Sequence, residues 1–294
     1  MILQNRKFSM PSAVVIGKFD GVHKGHQHLL ELALDICEIK NLAPLAYTFP
    51  SGRYAITDDD EKNNLLYQNG IENIYCQPFT DEFKATTPEE FVRILKNDFS
   101  AKHVIVGFNF RFGKDRAGDA SQMEQLCKKE GIGVTIAEPV LFENEPISST
   151  RIRESIKNGD VKSAHLMTGR FFGITSEVMQ GKKLGREMGF PTINMSTENI
   201  FLLPQVGVYA TKVEIDGKTY PAITNIGANP TVDSDNKIKA ETHIIGFGGD
   251  LYGKCITVKF IEKLRVEKAF KNIDELKKQI SADKEETVRV FGKL

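Results

Sequence analysis

The sequence predicts an α/β domain with a doubly wound parallel sheet, followed by a small antiparallel β-barrel that a helix closes. Short β-rich runs alternate with helical patterns in the first half. In the second half a two-residue hairpin signal, Asp216-Gly217, introduces a series of strands. The chain has 294 residues, too many for one ordinary domain. We expect domains at residues 1–169 and 170–294.

The first half alternates strands that are apolar on both faces with amphipathic helices, which is typical of βαβ crossovers and a Rossmann-like fold. Its first strand, Ala13–Gly17, leads through a glycine-rich turn to a helix from about Gln27 to Lys40. Further strands are predicted at Pro44–Phe49, Asn73–Cys76, His103–Gly107 and Gly133–Glu138. Further helices are predicted near Asp59–Gln68, Pro88–Asp98 and Ala120–Glu130.

The second half has the pattern of an antiparallel barrel. Val206–Ile215 and Lys218–Ile223 flank the hairpin signal, and Pro221 predicts an edge or an irregularity in the second of these strands. More strands are predicted at Glu241–Phe247 and Cys255–Phe260, and a last helix from about Ile273 to Phe291. Several antiparallel strands and one closing helix predict a small barrel.

Composition excludes several classes of protein. Lys and Arg together number 39, as do Asp and Glu, so the formal net charge is zero and argues against nucleic acid or anionic lipid as partners. We find no apolar run long enough for a membrane span and no signal stretch, and the four cysteines lack CxxC spacing. We therefore expect a cytoplasmic protein with reduced thiols. The oligomeric state stays open.

The strongest local signal is Gly17-Lys-Phe-Asp-Gly-Val-His-Lys-Gly-His26, which joins the first strand to the first helix. Ligands of open parallel sheets bind at this edge, and a helix N-terminus favours anions. Gly21 and Gly25 allow close backbone approach to phosphate, and His23 and His26 add donors. The segment is neither a P-loop nor a GxGxxG motif, and such a histidine pair alone could also be a solvated cap.

Two later segments predict the same edge. Gly107-Phe-Asn-Phe-Arg-Phe-Gly113 follows another strand and carries Asn109 and Arg111; its alternating phenylalanines suit either a wall for a flat ring or core packing. Ile147-Ser-Ser-Thr-Arg-Ile-Arg153 then opens a helix, where hydroxyl groups can cap and an arginine can meet phosphate. Three such segments together predict a nucleotide site.

In that order, GKFDGVHKGH, GFNFRFG and ISSTRIR resemble the adenylyltransferase module of the prokaryotic FAD synthetase family, within the nucleotidyltransferases marked by His-x-Gly-His. The second half resembles riboflavin kinases, because residues 181–194 are similar to their glycine-rich segment and Pro-Thr-x-Asn motif. Further matching segments are Asn225–Thr231, Glu241–Ile244, Asp250–Gly253 and Leu264-Arg265. The resemblance covers nearly the whole chain.

For the N-terminal module, the resemblance implies adenylylation of FMN by ATP, which gives FAD and pyrophosphate. His23 and His26 would be the catalytic contacts to the ATP phosphates. Asp20 could instead be structural in its turn. The implied ATP- and FMN-binding residues are Gly17, Phe19, Asp20, Gly21, Gly25, Asn109, Arg111, Ser148, Ser149, Thr150 and Arg153.

For the C-terminal module, the resemblance implies phosphorylation of the ribityl hydroxyl of riboflavin by ATP. Glu241 would be the base, and Thr192 and Asn194 would hold Mg²⁺ with the nucleotide phosphates. His243 is interpreted as structural or rim-facing. The implied ATP- and riboflavin-binding residues are Gly181, Gly185, Gly189, Pro191 and Asn225. Riboflavin, FMN, FAD and ATP are the expected substrates and products, with Mg²⁺ as cofactor.

One departure from the family concerns the segment after the second strand. Where the family carries Pro-His-Pro and a longer loop, this chain reads Thr48-Phe-Pro-Ser-Gly-Arg-Tyr54, so one wall of the adenylyltransferase cleft is altered and Arg53 or Tyr54 could substitute. The leading prediction is a bifunctional enzyme. The alternatives are a member with adenylyltransferase activity alone, a non-catalytic flavin-binding regulator, and a different nucleotidyltransferase, which would explain the first half only.

Overall fold

The computed structural model describes residues 2–3, 7–179, 190–197, 200, 202–228 and 238–294. The chain divides into two compact units, Met1–Ser149 and Thr150–Leu294. Each unit is described by itself below. The domain boundary predicted after residue 169 stays a prediction.

The first unit is built on a five-stranded parallel sheet with the order β3-β2-β1-β4-β7. These strands are β1 (Ser12–Ile16), β2 (Ala43–Thr48), β3 (Asn73–Cys76), β4 (Ala101–Gly107) and β7 (Gly133–Ala137). The helices are α1 (Lys24–Lys40), α2 (Asp59–Gln68), α3 (Asp81–Lys84), α4 (Pro88–Phe99) and α5 (Ala120–Lys129). Two short hairpins add β5 (Arg111–Phe112) with β6 (Gly118–Asp119), and β8 (Leu141–Phe142) with β9 (Glu145–Pro146). The predicted α/β fold is confirmed.

Alternation along β1 explains why helices cover both faces of this sheet. Val14 and Ile16 join one hydrophobic core, to which α4 and α5 contribute. Ala13 and Val15 point to the opposite face and join a second core with α1. Since successive side chains of a strand point to opposite faces, all four residues that follow Ser12 in this fully buried strand are apolar.

The order in which the chain adds strands to the sheet reverses at β1. The chain passes from β1 outward to β2 and β3, and then crosses to β4 on the other side of β1. Ligands of doubly wound sheets bind at such a switch point, outside the carboxyl ends of the strands. Gly17 follows β1 and Phe108 follows β4, so two of the predicted motifs leave adjacent strands at this edge.

The second unit is a closed antiparallel barrel with the strand order β10-β11-β14-β13-β12-β15. Helices α6 (Ser149–Lys157) and α7 (Val161–Thr168) precede it in the chain. Its strands are β10 (Gly173–Met179), β11 (Thr192–Met195), β12 (Gly207–Ile215), β13 (Lys218–Ala228), β14 (Ile238–Ile244) and β15 (Cys255–Arg265). Helix α8 (Ile273–Phe291) packs against β12, β13 and β15. The predicted barrel with a closing helix is confirmed.

The barrel interior contains a ladder of three buried hydroxyl groups. Thr211 Oγ1 lies 2.8 Å from Thr224 Oγ1, which lies 2.9 Å from Thr242 Oγ1. Because strand side chains alternate, the neighbours of Thr242 in β14, Glu241 and His243, point to the outside.

The strand that contains Pro221 is not an edge strand. β13 pairs with β12 on one side and with β14 on the other. Pairing with β14 begins only at Ala222, and the Pro221 carbonyl accepts a hydrogen bond from Ile245 N at 2.9 Å. The proline therefore sits beyond the end of β14, where its missing N–H is not needed by that neighbour.

Candidate active sites

A stacked histidine pair opens α1 in the first unit. His23 is the N-cap, and its Nδ1 accepts a hydrogen bond from His26 N at 3.3 Å, so Nδ1 carries no proton in this arrangement. The two imidazole rings stack with centroids 3.7 Å apart. Gly25 leaves space for this pair, because a Cβ there would lie 3.2 Å from the His23 ring. Both rings thus lie at the positive end of a 17-residue helix.

The loop between β1 and α1 has an unusual backbone. Phe19, Gly21 and Val22 have φ angles of 50°, 78° and 31°. A positive φ is strained for a β-branched residue such as Val22. The Phe19 ring is wholly buried under Gly17, where an added Cβ would lie 3.1 Å from the ring. The buried Phe19 ring therefore packs against the backbone at the start of this loop.

Asp20 and Gly21 attach this loop to the segment after β2. The Asp20 carboxylate accepts a hydrogen bond from Ile56 N at 2.7 Å, and Gly21 N donates to Thr57 Oγ1 at 3.2 Å. A Cβ at Gly21 would lie 2.8 Å from the Ile56 side chain. Asp20 thus has a structural contact, and the short loop after β2 (residues 49–58) packs beside the histidine motif.

Lys62, a residue outside the predicted sites, is buried under the same short loop and donates hydrogen bonds to it. Its side chain is 1% exposed, and its Nζ donates to Phe49 O and Asp59 Oδ1, each at 2.6 Å. Burial alone would raise the pKa of Asp59, but hydrogen bonds from Lys62 and Ser51 outweigh burial and lower it. Arg53 and Tyr54 lie exposed near the tip of the loop.

In the segment after β4, some side chains are exposed at the edge of the sheet and others pack in the hydrophobic core. Phe108 and Asn109 are exposed at the rim, and Arg111 Nη1 lies 3.6 Å from Asp119 Oδ2. Phe110 and Phe112 stack on each other and pack on the core, so core packing is the correct interpretation for these two rings.

The third predicted segment spans the end of the first unit. α6 begins at Ser149, whose hydroxyl donates to the Asp20 carbonyl at 2.8 Å, and Ser148 is half-buried before it. Thr150 and Arg153 lie further along α6, in the second unit, and Arg153 Nη2 donates to Thr150 Oγ1 at 3.2 Å.

A row of polar side chains crosses three strands on the outside of the barrel. Glu241 of β14 lies directly opposite Asn194 of β11 and Asn225 of β13. Directly opposed side chains lie on the same face and are close neighbours. Thr192, two residues before Asn194, faces the same way and lies opposite His243. The predicted base thus has predicted ligand residues on both sides.

His243 fixes the backbone that leads into this row. Its Nδ1 lies 2.9 Å from the Pro191 carbonyl, which only accepts, so Nδ1 carries the proton. Burial lowers the pKa of His243, while this hydrogen bond raises it in part and the charge of Lys284 lowers it further. The imidazole is therefore neutral at pH 7 and acts as a structural donor to the residue before Thr192.

Two further interactions border the row and were missed by the sequence analysis. Asn225 Nδ2 donates to Glu267 at 3.0 Å. Arg265, of the Leu264-Arg265 motif, makes a bidentate ion pair with Asp283 of α8, with an Nη2–Oδ2 distance of 2.8 Å. Because its two side chains are only 16% and 6% exposed, this ion pair joins α8 to the end of β15.

Some predicted residues lie outside the described part of the chain, namely Gly181, Gly185, Gly189 and the last three residues of the Asn225–Thr231 segment. Among the described residues, no group of three or more His, Cys, Asp and Glu side chains could hold a metal ion. No helix in that part of the chain has the length and hydrophobicity of a membrane span.

Two family models match the chain, one in each part. The FAD synthetase model matches residues 5–151, and the riboflavin kinase model matches residues 168–291.

Curated relatives match over nearly the whole length. A protein from Bacillus subtilis, named bifunctional riboflavin kinase/FMN adenylyltransferase, is 34% identical over 297 residues, with coverage of 96% of this chain and 93% of the relative. A relative with the same name from Pseudomonas fluorescens is 35% identical, and the match covers 91% of this chain and 89% of the relative. Another, from Escherichia coli, is 32% identical, and the match covers 95% of this chain and 92% of the relative.

A solved structure shares the fold of the chain. It is described as a macrolide-efflux protein from Streptococcus pneumoniae, is 30% identical, and superimposes with a TM-score of 0.89 over 98% of both chains. That description names a different activity from the one named for the curated relatives. The two family models agree with the curated relatives.

Proposed function

The chain belongs to the bifunctional riboflavin kinase/FMN adenylyltransferase family, and from that premise we propose that it makes FAD from riboflavin in two ATP-dependent steps. The second unit phosphorylates riboflavin to FMN, and the first unit adenylylates FMN to FAD. Riboflavin, FMN and ATP are the substrates, and FAD is the final product. The observation that carries the proposal is that each unit presents a polar site suited to one of these steps.

In the adenylylation step, a phosphate oxygen of FMN attacks the α-phosphorus of ATP, and the bond to the bridging oxygen of pyrophosphate breaks. This reaction needs orientation and charge neutralisation more than a covalent nucleophile. His23 and His26 supply donors at the positive end of α1. We assign the nucleotide phosphates to this end of the helix, beside Gly21 and Gly25, with Asn109 and Arg111 on the rim that follows β4.

In the phosphorylation step, the ribityl hydroxyl oxygen attacks the γ-phosphorus of ATP, and ADP leaves. Glu241 takes the hydroxyl proton. The neutral oxygens of Thr192 and Asn194 lie on the same face, next to this carboxylate. They fit Mg²⁺, which prefers oxygen and is usually held by one or two protein groups together with substrate phosphates. Mg²⁺ would supply neutralisation of the phosphate charge.

The domain assignment and the location are part of the same proposal. We assign adenylylation to residues 1–169 and phosphorylation to residues 170–294. The FAD synthetase model ends at residue 151 and the riboflavin kinase model begins at residue 168, which leaves most of α6 and α7 between them. Use of ATP in both steps supports a cytoplasmic location.

Reciprocal variants test the two assignments in one assay. Products are separated by chromatography after incubation with ATP and Mg²⁺, starting from riboflavin or from FMN, each oxidised or reduced. We expect His26→Ala to slow formation of FAD from FMN about 100-fold and to leave riboflavin phosphorylation intact. We expect Glu241→Gln to slow riboflavin phosphorylation about 100- to 10,000-fold and to leave adenylylation intact.

His28→Gln and Glu214→Gln are the matched controls, since neither residue belongs to the proposed sites. A variant that loses both activities would contradict the assignment of one reaction to each unit. If the wild-type chain converts FMN but leaves riboflavin untouched, only the adenylyltransferase part of the proposal stands. If neither flavin reacts, a flavin-binding regulator becomes the better explanation.

A further inference from the structure

A carboxylate that neither step uses lies beside the proposed kinase site. Glu267 follows β15 in the chain, is itself exposed, and accepts a hydrogen bond from Asn225 Nδ2 at 3.0 Å. An ionised carboxylate only accepts, so the amide nitrogen of Asn225 must face Glu267. The Glu267 carboxylate therefore determines which way the amide is turned, and it leaves Oδ1 on the other side.

The amide oxygen of Asn225, Oδ1, is buried and accepts no hydrogen bond from the residues that the structure describes. Buried polar atoms are normally hydrogen-bonded, because leaving one unpaired is costly. Since Asn225 lies directly opposite Glu241, this acceptor is adjacent to the proposed base. A ligand with a hydroxyl group at Glu241 would bring the missing donor.

Gly227 provides the space that Glu267 occupies. A Cβ at this position would overlap the Glu267 carboxylate and would lie 3.2 Å from Asn225 Nδ2. Gly227 is not among the residues with positive φ, so the backbone itself does not require glycine there. Glycine is required at position 227 because any larger side chain would collide with Glu267, which contacts the Asn225 amide.

We propose that Glu267 is a positioning residue for riboflavin phosphorylation, which orients Asn225 so that its Oδ1 accepts a hydrogen bond from a hydroxyl of the ribityl chain. This inference rests on the proposed kinase function. Glu241 then has two neighbours with separate tasks, with Asn194 on the nucleotide and metal side and Asn225 on the flavin side. A neutral amide oxygen also suits Mg²⁺, and the kinetic test separates these two ligands.

The test compares the wild-type chain with Glu267→Ala and Glu267→Gln. We expect Glu267→Ala to raise the KM for riboflavin, and its Kd by flavin fluorescence, about tenfold, which is typical for loss of a supporting hydrogen bond at a site. The KM for ATP and the adenylylation of FMN should stay unchanged. Glu267→Gln should remain close to wild type, because its amide oxygen still accepts from Asn225 Nδ2. Glu214→Ala, on an exposed part of β12, is the matched control.

A double-mutant cycle gives a second, independent measurement. Gly227→Ala should raise the KM for riboflavin by displacing Glu267, and it should add little in the Glu267→Ala background. Additive effects of the two substitutions would overturn the inference. So would an unchanged KM for riboflavin in Glu267→Ala, a changed KM for ATP, or equal losses in both activities.

Failure of the proposed function would be visible separately. If the wild-type chain binds riboflavin but forms no FMN, the kinase proposal fails. The Kd values of the same variants for riboflavin would still decide whether Glu267 positions Asn225.

Discussion

His103 is a buried histidine in β4, held between a lysine and a threonine. Lys40 Nζ donates to its Nδ1 at 3.0 Å, so the ring proton is on Nε2, which lies 2.9 Å from Thr135 Oγ1. Burial, and then the charge of Lys40, lower the pKa of His103 to about 4. The side chain is therefore neutral in the folded protein throughout the physiological range.

The pKa of His103 predicts a loss of stability in mild acid. The unfolded chain binds a proton near pH 6.5 and the folded chain only near pH 4, so the free energy of unfolding should fall as pH decreases between these values. The difference corresponds to about 3 kcal/mol at most. Urea unfolding followed by circular dichroism at pH 7.5, 6.5, 5.5 and 4.5 measures it.

His103→Gln, which stays neutral, should flatten this pH dependence, whereas His28→Gln at a partly exposed position should not. Equal slopes for the wild-type chain and His103→Gln would show that other groups cause the acid sensitivity.

Residues whose environment is local in sequence could be predicted, and residues with distant partners could not. Alternation in β14 places Glu241 outside the barrel, as its position between buried neighbours indicates. The partner of Asn225, Glu267, is 42 residues away in the chain, and nothing in the local sequence marks the pair. Lys62 looks like an exposed helix residue because its buried contacts come from the loop before α2.

At the scale of elements, two loops of the first unit depend on each other. The loop between β1 and α1 is joined to the short loop after β2 through Asp20, whose carboxylate accepts from the Ile56 backbone at 2.7 Å. Lys62 holds the other side of the short loop. These hydrogen bonds fix the short loop after β2 at both of its sides.

Removal of the Asp20 carboxylate should loosen both loops. We expect Asp20→Ala to destabilise the first unit by about 1–3 kcal/mol, the cost of a hydrogen bond to a charged group, and to lower kcat/KM for adenylylation of FMN. Asp20→Asn, which keeps an acceptor oxygen, should retain most of the stability and most of the kcat/KM of the wild-type chain. Urea unfolding and the FMN assay measure the effects, with the exposed Asp35→Ala as control. If Asp20→Asn restores the stability but lowers kcat/KM as much as Asp20→Ala does, the charge of Asp20 acts on the substrate directly.

The caps of the helices explain which element boundaries could be predicted. α2 and α8 begin at the predicted residues because Asp58 and Asn272 are common N-cap types. α1 begins at Lys24, before the predicted Gln27, because His23, an uncommon N-cap, takes that position. β11, a strand of four residues that carries Thr192 and Asn194, is not among the strands that the sequence pattern predicts.

At the scale of the whole molecule, each unit has a hydrophobic core of its own. The sheet of the first unit separates two clusters. In the second unit, Ala210 and Ile261 pack with Val290 of α8. A segment with its own core can fold and act as a separate domain. The histidine pair belongs to the first unit and Glu241 to the second.

Because the two catalytic groups belong to different units, FMN made by one chain should serve as substrate for another. An equimolar mixture of the Glu241→Gln and His26→Ala chains should convert riboflavin to FAD, although neither chain does so alone. The chromatographic time course should show FMN accumulating before FAD, and this lag should vanish when FMN is supplied at the start. If the mixture forms FMN but no FAD, while Glu241→Gln still converts added FMN, then the chain that makes FMN does not release it.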